Sequence, residues 1–104
     1  MESKTDVMTN EKPIISIIIV NFNTKILIDQ CINSIYESKT LNTFEIIVSD
    51  NASSDGSVEM ISEKYKEVII LKNEKNLGFS NANNLGVKIA KGEFILFLNS
   101  DTIV

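Results

Sequence analysis

The sequence predicts an α/β fold, a Rossmann-like three-layer arrangement in which helices cover both faces of a parallel sheet. Four short aliphatic runs have the composition of strands that are buried in such a sheet. They alternate with three segments in which apolar residues recur at helical spacing. The order β-α-β-α-β-α-β, with connections of these lengths, predicts helical crossovers and the strand order 3-2-1-4.

The first strand is predicted at Ile14 to Val20, which is aliphatic except for Ser16. A polar loop at 21–24 follows, and Thr24 is placed to cap a helix. That helix begins at Lys25 and is expected to fade by Ser38. Its inward stripe consists of residues at helical spacing: Leu27, Ile28, Cys31, Ile32 and Ile35.

The second strand begins at Phe44 and runs through the β-branched residues Ile46 to Val48. It ends abruptly in polar and small residues from Ser49 to Gly56. A second helix follows, for which Asp55 or Ser54 is the expected cap. The inner face of this helix is predicted to consist of Val58, Ile61 and Tyr65.

A short third strand is predicted at 68–71, and a polar loop at 72–78 leads to a third helix that starts near Phe79 or Ser80. Gly86 is expected to let this helix approach the sheet closely, and Gly92 is expected to end it as a C′ residue. Its inward face is predicted to consist of Phe79, Ala82, Leu85 and Ile89. The last strand, Phe94 to Leu98, is the most apolar of all.

The predicted topology brings four polar loops together at the carboxyl edge of the sheet, where open parallel sheets bind ligands. Their residues are 21–24, 50–55, 72–78 and 99–102. Two carboxylates, Asp50 and Asp101, follow buried strands there, and Asp101 is a hard oxygen ligand of the kind that Mg²⁺ or Mn²⁺ prefers. Either residue alone could merely cap a turn. Together, in this topology, they favour a site for a ligand rich in hydrogen-bonding groups, such as a nucleotide or a sugar.

Composition excludes several classes of site. Ten basic and fourteen acidic residues leave a net charge of −4, which argues against a nucleic-acid-binding surface. Histidine is absent, so neither a His-centred triad nor a His-ligated metal can be built from this chain. The single cysteine, Cys31, excludes an internal disulfide and fits a reducing compartment. Its place on a helical stripe predicts a small buried hydrophobic residue rather than a nucleophile.

No apolar stretch reaches the roughly 18 residues of a transmembrane helix, and the N-terminus lacks the apolar core of a signal peptide. We therefore expect a cytoplasmic location. Residues 1–12 are polar and unpatterned, which predicts a disordered tail. The folded domain is predicted at 13–104.

Four motifs now identify a family. They are Ser16 to Asn23 (SIIIVNFN), Ile46 to Ser57 (IIVSDNASSDGS), Asn76 to Asn84 (NLGFSNANN) and Phe97 to Asp101 (FLNSD). In this order and at these spacings, they resemble the N-terminal, nucleotide-sugar-binding half of inverting glycosyltransferases of family 2, which have the GT-A fold. The third motif is most similar to rhamnosyltransferase-type members. The resemblance covers about Ile14 to Val104.

The resemblance implies roles for particular residues. Asp50 takes the position of the aspartate that binds the nucleotide base, and Asp101 takes that of the aspartate that coordinates Mg²⁺ or Mn²⁺ at the diphosphate. Asn99 stands where many members have the first aspartate of an Asp-X-Asp element, and it can still hydrogen-bond a ribose. The nucleotide-binding residues implied in this way are Asn21, Asn23, Asp50, Asn51 and Asn99.

The activity implied for the parent protein is hexosyl transfer, with inversion, from a dTDP- or UDP-sugar to a glycan or lipid-linked acceptor. Cell-surface polysaccharide synthesis is the expected setting, with the parent peripheral at the inner face of the membrane. The family places its catalytic base after the Asp-X-Asp element, and this chain continues only three residues beyond Asp101. We therefore expect a truncated half-domain that binds the donor and is inactive by itself.

Truncation would also leave the strand Phe94 to Leu98 as an unpaired edge, which predicts a homo-oligomer through this strand or its flanking surface. Two other functions stay open. One is a non-catalytic nucleotide- or protein-binding module. The other is a phosphoacceptor signalling domain with Asp50 as the acceptor, although such domains need an acidic cluster where this chain has Asn21 to Asn23.

Overall fold

The computed structural model describes residues 12–38 and 43–104. The tail predicted at 1–12 lies outside the described residues, apart from Lys12. The described chain forms a four-stranded parallel sheet in the order β3-β2-β1-β4, which confirms the predicted fold class and strand order.

Seven elements alternate as the sequence predicted, with boundaries that differ by one or two residues. They are β1 (Ile15–Asn21), α1 (Lys25–Glu37), β2 (Phe44–Asp50), α2 (Ser57–Lys64), β3 (Ile69–Lys72), α3 (Phe79–Ile89) and β4 (Phe94–Leu98). Within residues 12–38 and 43–104, no helix has both the length and the apolarity needed to cross a membrane.

The register of β1 fixes which residues share a face of the sheet. Ile17 pairs with Ile46 on one side and with Leu96 on the other. At the carboxyl end, Asn21 pairs with Asp50. Because side chains alternate along a strand, Asn21 and Asp50 belong to the same face as Ile17 and Ile46.

This face carries the main core, which α1 and α2 cover. Three isoleucines of α1 are completely buried, as the helical stripe predicted, and so are the central aliphatic residues of β1 and β2. The core residues are Ile17, Ile19, Ile28, Cys31, Ile32, Ile35, Ile46, Val48, Ile61, Tyr65 and Val68. Cys31 is thus a small buried hydrophobic residue, and Leu27 of the predicted stripe is exposed instead.

The opposite face is covered by α3, which packs through small residues. Its buried positions are Ala82, Asn83 and Gly86. A Cβ added at Gly86 would lie 2.7 Å from Cγ2 of Ile18, so the glycine permits the close approach that was predicted. The prediction of Phe79 and Ile89 as inward residues was wrong, because the helix turns its small side to the sheet and leaves both residues exposed.

A tyrosine joins the two helices on the core face. The Tyr65 hydroxyl donates hydrogen bonds to the carboxylate and to the backbone carbonyl of Asp29 on α1. Lys64 forms an ion pair with the same carboxylate at 2.9 Å. Burial, together with the neighbouring Asp29 carboxylate, raises the pKa of Tyr65 well above its usual range. The hydroxyl therefore stays protonated and remains a donor.

Gly92 serves a purpose different from the predicted helix stop. The C-cap of α3 is Ala90, and the Gly92 amide donates to Ser16 Oγ at 2.7 Å. Ser16 Oγ donates in turn to Glu45 Oε2 at 2.6 Å. A Cβ on Gly92 would lie 2.6 Å from the Ser16 nitrogen, so only glycine allows this approach between the entry to β4 and the start of β1.

We predict that Gly86→Ala destabilises the domain. In an exposed helix this change stabilises by roughly 0.5–1 kcal/mol, but overpacking against the fully buried Ile18 costs about 1–3 kcal/mol. The net effect should be a lower midpoint of urea unfolding at an unchanged m-value. Asn84→Ala on the exposed side of α3 is the matched control and should not destabilise. A Gly86→Ala variant that is more stable than the wild type would contradict the packing described for α3.

Candidate functional site

The four loops predicted to meet do meet, and they enclose a cleft of ≈ 560 Å³ at the carboxyl edge of the sheet. This volume lies within the range of small-molecule sites. The cleft is lined by residues from every loop and from the adjoining elements: Val20, Phe22, Thr24, Leu27, Asn51, Asn76, Gly78, Phe79, Asn99, Ser100 and Asp101.

Asn21 and Asp50 form a buried pair behind this cleft. Asn21 is 0% exposed and Asp50 is 2% exposed. The Asn21 amide nitrogen donates to Asp50 Oδ1 at 2.7 Å and to Ser57 Oγ at 2.7 Å. Ser53 donates twice more to Asp50, from its hydroxyl at 2.7 Å and from its backbone nitrogen at 2.9 Å. A buried carboxylate requires such donors, so the pair ties β1 to the loop after β2.

The position of Asp50 bears on two of the sequence interpretations. Its side chain does not line the cleft, and both of its oxygens already accept hydrogen bonds within the chain. A phosphoryl donor has no access to a carboxylate that is 2% exposed, which argues against the phosphoacceptor alternative. The neighbouring residue, Asn51, is the one that reaches the cleft.

Asn51 shapes the third loop as well as the cleft wall. Its Oδ1 accepts from the side-chain Nδ2 of Asn73 at 3.0 Å and from the Leu77 backbone nitrogen at 3.3 Å. Its Nδ2 donates to the Gly78 carbonyl at 3.3 Å. Asn51 therefore holds the loop that leads into α3 against the end of β2.

Asn23 connects the first and second loops and does not line the cleft. Its Oδ1 accepts from the Ser54 backbone nitrogen at 2.8 Å, and its backbone nitrogen donates to Ser53 Oγ at 2.9 Å. Asn23 and Ala52 both have left-handed backbones, with φ of 53° and 63°. This conformation costs a non-glycine residue of order 1 kcal/mol or more, and the surrounding hydrogen bonds hold it in place.

Asn99, Ser100 and Asp101 form the fourth wall, in a turn that the Thr102 amide closes by donating to the Asn99 carbonyl at 3.0 Å. Asp101 is exposed. Within residues 12–38 and 43–104, no donor is bonded to its carboxylate. It differs in this respect from Asp50. Its oxygens are therefore available to a ligand.

Two aromatic residues of the cleft were missed as site residues. Phe22 and Phe79 are 45% and 55% exposed, and they flank the cleft from the first loop and from the start of α3. Phe79 had been assigned to the core. The signal that could have identified both is a large apolar residue inside an otherwise polar loop segment, where no core is available to receive it.

The family model for glycosyl transferase family 2 matches residues 16–104, which span nearly all of the folded elements. The chain belongs to glycosyl transferase family 2. Its four motifs, its strand order and the position of its cleft agree with this membership, and the expected resemblance is confirmed.

Two curated glucosyltransferases support the same conclusion. The chain is 36% identical over 95 residues to a poly(ribitol-phosphate) beta-glucosyltransferase of Bacillus spizizenii, covering 86% of this chain and 15% of the relative. It is 38% identical over 89 residues to the Escherichia coli UDP-Glc:alpha-D-GlcNAc-diphosphoundecaprenol beta-1,3-glucosyltransferase WfaP, covering 85% of this chain and 35% of that protein. The chain thus spans only a minor part of these relatives.

A solved structure has the same architecture. The fragment 1–349 of S. aureus TarS in complex with UDP superposes with a TM-score of 0.76 at 28% identity. The superposition covers 88% of this chain and 28% of the TarS fragment. The family 2 fold of the described residues is therefore the fold of a protein that binds a nucleotide.

The donor set at the cleft fits a divalent cation that shares its coordination with a ligand. Asp101 supplies an exposed carboxylate, and Asn99 and Ser100 add neutral oxygens nearby. Within the described ranges, no group of three or more acidic, cysteine or histidine side chains forms a complete cage. One carboxylate plus substrate phosphates is a usual arrangement for Mg²⁺. The residues therefore fit a metal that binds together with a diphosphate.

Asp55 caps two helices at once, and the stabilisation that its carboxylate provides depends on pH. Its carboxylate accepts from the Lys25 amide at the start of α1 and from the Ser57 amide at the start of α2, both at 3.0 Å. Burial alone would raise the pKa of Asp55, but the hydrogen bonds from Ser57 and Lys25 outweigh it and hold the pKa below its usual value. This stabilisation is present above the unfolded-state pKa and is lost as the pH falls through the lower folded-state pKa.

We predict that Asp55→Asn lowers the free energy of unfolding at pH 7 by about 0.3–1 kcal/mol per helix, the usual value of a negative charge at a helix N-terminus. The difference from wild type should shrink as the pH falls below about 4, where the wild-type carboxylate also loses its charge. Urea titrations at several pH values measure this difference. Glu63→Gln, an exposed change on α2, is the control. A penalty that is independent of pH would show that the charge of Asp55 has no part in the caps.

Proposed function

We propose that this chain is the donor-binding part of a glycosyltransferase and that its cleft holds the nucleoside diphosphate of a sugar donor. The observation that carries the proposal is the meeting of all four loops at one cleft. Its walls carry hydrogen-bonding groups, exposed aromatic rings and, in Asp101, a carboxylate to which none of the described residues donates. The likeness to TarS, whose structures were solved with UDP and with UDP-GlcNAc, supports the choice of ligand class. UDP is the first candidate, and dTDP the second.

We assign different parts of the nucleotide to different walls of the cleft. We assign the nucleobase to the apolar side formed by Phe22 and Leu27, because an exposed aromatic face stacks well on a base. Asn51 also lines the cleft, but it is 2% exposed and both its Oδ1 and its Nδ2 are bonded within the chain, so we assign it a supporting role in the cleft wall. Asn99 is assigned to the ribose.

Asn21, Asn23 and Asp50 were expected to contact the nucleotide, and their bonds support a different role. All three hold the loops around the cleft without lining it. We propose that they act as positioning residues. Asp50 stabilises the loop whose next residue, Asn51, forms part of the cleft wall.

Asp101 is proposed to hold Mg²⁺ or Mn²⁺ at the diphosphate, with Asn99 beside it. When bound, the metal would neutralise charge on the leaving diphosphate. Asp101 is the only carboxylate among the described cleft-lining residues, and we assign it to the metal. We therefore propose that this chain contributes donor binding, and that acceptor binding and general-base catalysis belong to parts of the longer relatives that it does not span.

The names of the relatives support a proposal for the reaction of the whole protein. Both relatives are beta-glucosyltransferases, one acting on poly(ribitol-phosphate) and one on a diphosphoundecaprenol-linked sugar. Because the common UDP-hexose donors are α-glycosides, a β-linked product requires inversion. We propose an inverting hexosyl transfer to a glycan or lipid-linked acceptor in surface polysaccharide synthesis, at the cytoplasmic face of a membrane.

Titration with UDP tests the site. We predict weak binding that Mn²⁺ strengthens. Asp101→Ala should remove the metal dependence without weakening metal-free binding, because the carboxylate repels a diphosphate when no cation lies between them. Phe22→Ala should raise Kd by about ten-fold with or without Mn²⁺, which is within the range for loss of one base–aromatic stack. Isothermal calorimetry measures all three cases.

Glu93→Ala, which removes a carboxylate at the opposite edge of the sheet, is the control for Asp101→Ala and should bind as the wild type does. If Asp101→Ala retains the full effect of Mn²⁺, the metal assignment is wrong. If the wild type does not bind UDP or dTDP with Mn²⁺, the proposed function itself is wrong.

We also propose that the chain self-associates through β4. Within the described residues β4 pairs only with β1, and its other edge is unpaired. Phe94 and Phe97 are about half exposed or more, and the strand has neither charge nor proline to block pairing. A second copy can match this edge because a two-fold axis sets the same strand against itself.

Light scattering should therefore find a dimer that dissociates on dilution. Leu96→Lys should yield a monomer, because it places a charge on the pairing strand. Ile26→Lys, which changes an exposed isoleucine on α1, should leave the dimer intact and serves as the matched control. A wild-type chain that stays monomeric at high concentration would overturn this proposal.

A further inference from the structure

Residues 99–104 follow β4 and are called the β4 loop below. Hydrogen bonds join this loop to α1 at both of its ends. At its start, the Cys31 thiol donates to the Asn99 carbonyl, with 3.8 Å between sulfur and oxygen. At its far end, the Val104 backbone nitrogen donates to Ser34 Oγ at 3.0 Å. Asp101 lies between these two points.

Ser34 is well placed to accept the second of these hydrogen bonds. Its hydroxyl hydrogen is used in a bond to the Cys31 carbonyl at 2.7 Å, one turn back on the same helix. That bond fixes the rotation of the hydroxyl and leaves its lone pairs for the Val104 amide. Cys31 and Ser34 are three residues apart, so they lie on the same side of α1.

The base of this arrangement is rigid. Ile28, Ile32 and Ile35 of α1 are completely buried in the core, so the helix cannot shift without opening it. Leu98, the last residue of β4, packs against the same core. Burial, with the Asp101 charge as a second cause, raises the pKa of the Cys31 thiol to about 11, in keeping with a thiol that is enclosed near Asp101.

We propose that Cys31 and Ser34 are positioning residues that hold the β4 loop so that the Asp101 carboxylate is correctly placed for a divalent cation on a nucleoside diphosphate. The inference rests on the proposed function of the cleft. With one carboxylate in the donor set, placement of that carboxylate decides how well metal and diphosphate bind together. A small displacement of a positioned group is costly in such sites.

The test compares the metal enhancement of variants, defined as the Kd for UDP without Mn²⁺ divided by the Kd with Mn²⁺. Ser34→Ala removes the acceptor for Val104 and should reduce the metal enhancement about five-fold, the usual net effect of one hydrogen bond, while metal-free UDP affinity stays unchanged. Ser34→Thr keeps the hydroxyl and should restore the enhancement. Ser62→Ala, an exposed serine change on α2, should have no effect.

Each outcome decides between roles. If Ser34→Ala leaves the metal enhancement intact, or weakens UDP binding equally with and without Mn²⁺, then Ser34 does not position Asp101 and the inference fails. If the wild type itself shows no metal-dependent UDP binding, the proposed function fails and the inference falls with it. These two failures are distinguished by the wild-type titration alone.

Thiol reactivity gives a second measurement that does not depend on ligand affinity. Cys31 is the only cysteine of the chain, so labelling by a thiol reagent reports on the cover that the β4 loop provides. Ser34→Ala should accelerate labelling about five-fold, because one closing hydrogen bond is lost. In the wild type, UDP with Mn²⁺ should slow labelling more than UDP alone. Labelling rates that are indifferent to Ser34→Ala and to the metal would overturn the proposal.

Discussion

The buried bond between Asn21 and Asp50 is the interaction on which the geometry of the cleft depends. It joins the carboxyl ends of β1 and β2. Asn21 also bonds to Ser57 at the start of α2, and Asp50 bonds to Ser53 of the loop that follows β2. Removing the Asn21 amide would leave a carboxylate at 2% exposure short of a donor, which costs roughly 1–3 kcal/mol or more for a charged group. The left-handed backbone of Ala52 is held between these same bonds. The loop is therefore rigid before any ligand arrives.

The sequence predicted the fold almost completely because its signals are local and strong. Aliphatic runs mark the strands, and the spacing of the isoleucines in α1 marks its buried face. The prediction for α3 was wrong in its inward face for a physical reason. Hydrophobicity selects Phe79 and Ile89, but the distance between α3 and the sheet is set by Gly86 against Ile18. Small residues contribute little to a hydrophobic pattern, so a helix that packs through them is misread.

The location of the cleft follows from the topology, whereas the orientation of individual side chains does not. Four loops at the carboxyl edge follow from topology alone, and the cleft lies there. Topology does not determine which side chain at the end of β2 faces the cleft, because adjacent residues of a strand point to opposite faces. The register that pairs Asn21 with Asp50 turns both towards the α1 and α2 side, so Asn51 reaches the cleft instead. No pattern in the sequence specified that Asp50 would be satisfied by Asn21 and Ser53.

The contrast between the two carboxylates explains why a metal belongs in the proposed function. The Asp50 carboxylate accepts hydrogen bonds within the fold, whereas that of Asp101 faces the cleft without a donor in the described part of the chain. A diphosphate entering that cleft brings negative charge towards an anionic side chain, in a protein whose net charge is already −4. Two anions at such a distance repel each other unless a cation lies between them. A divalent cation converts this repulsion into attraction on both sides, so one exposed carboxylate can help to bind a ligand that it would otherwise reject. The same charge that makes Asp101 unsuited to the diphosphate alone makes it suited to the metal complex, provided that the β4 loop holds it in place.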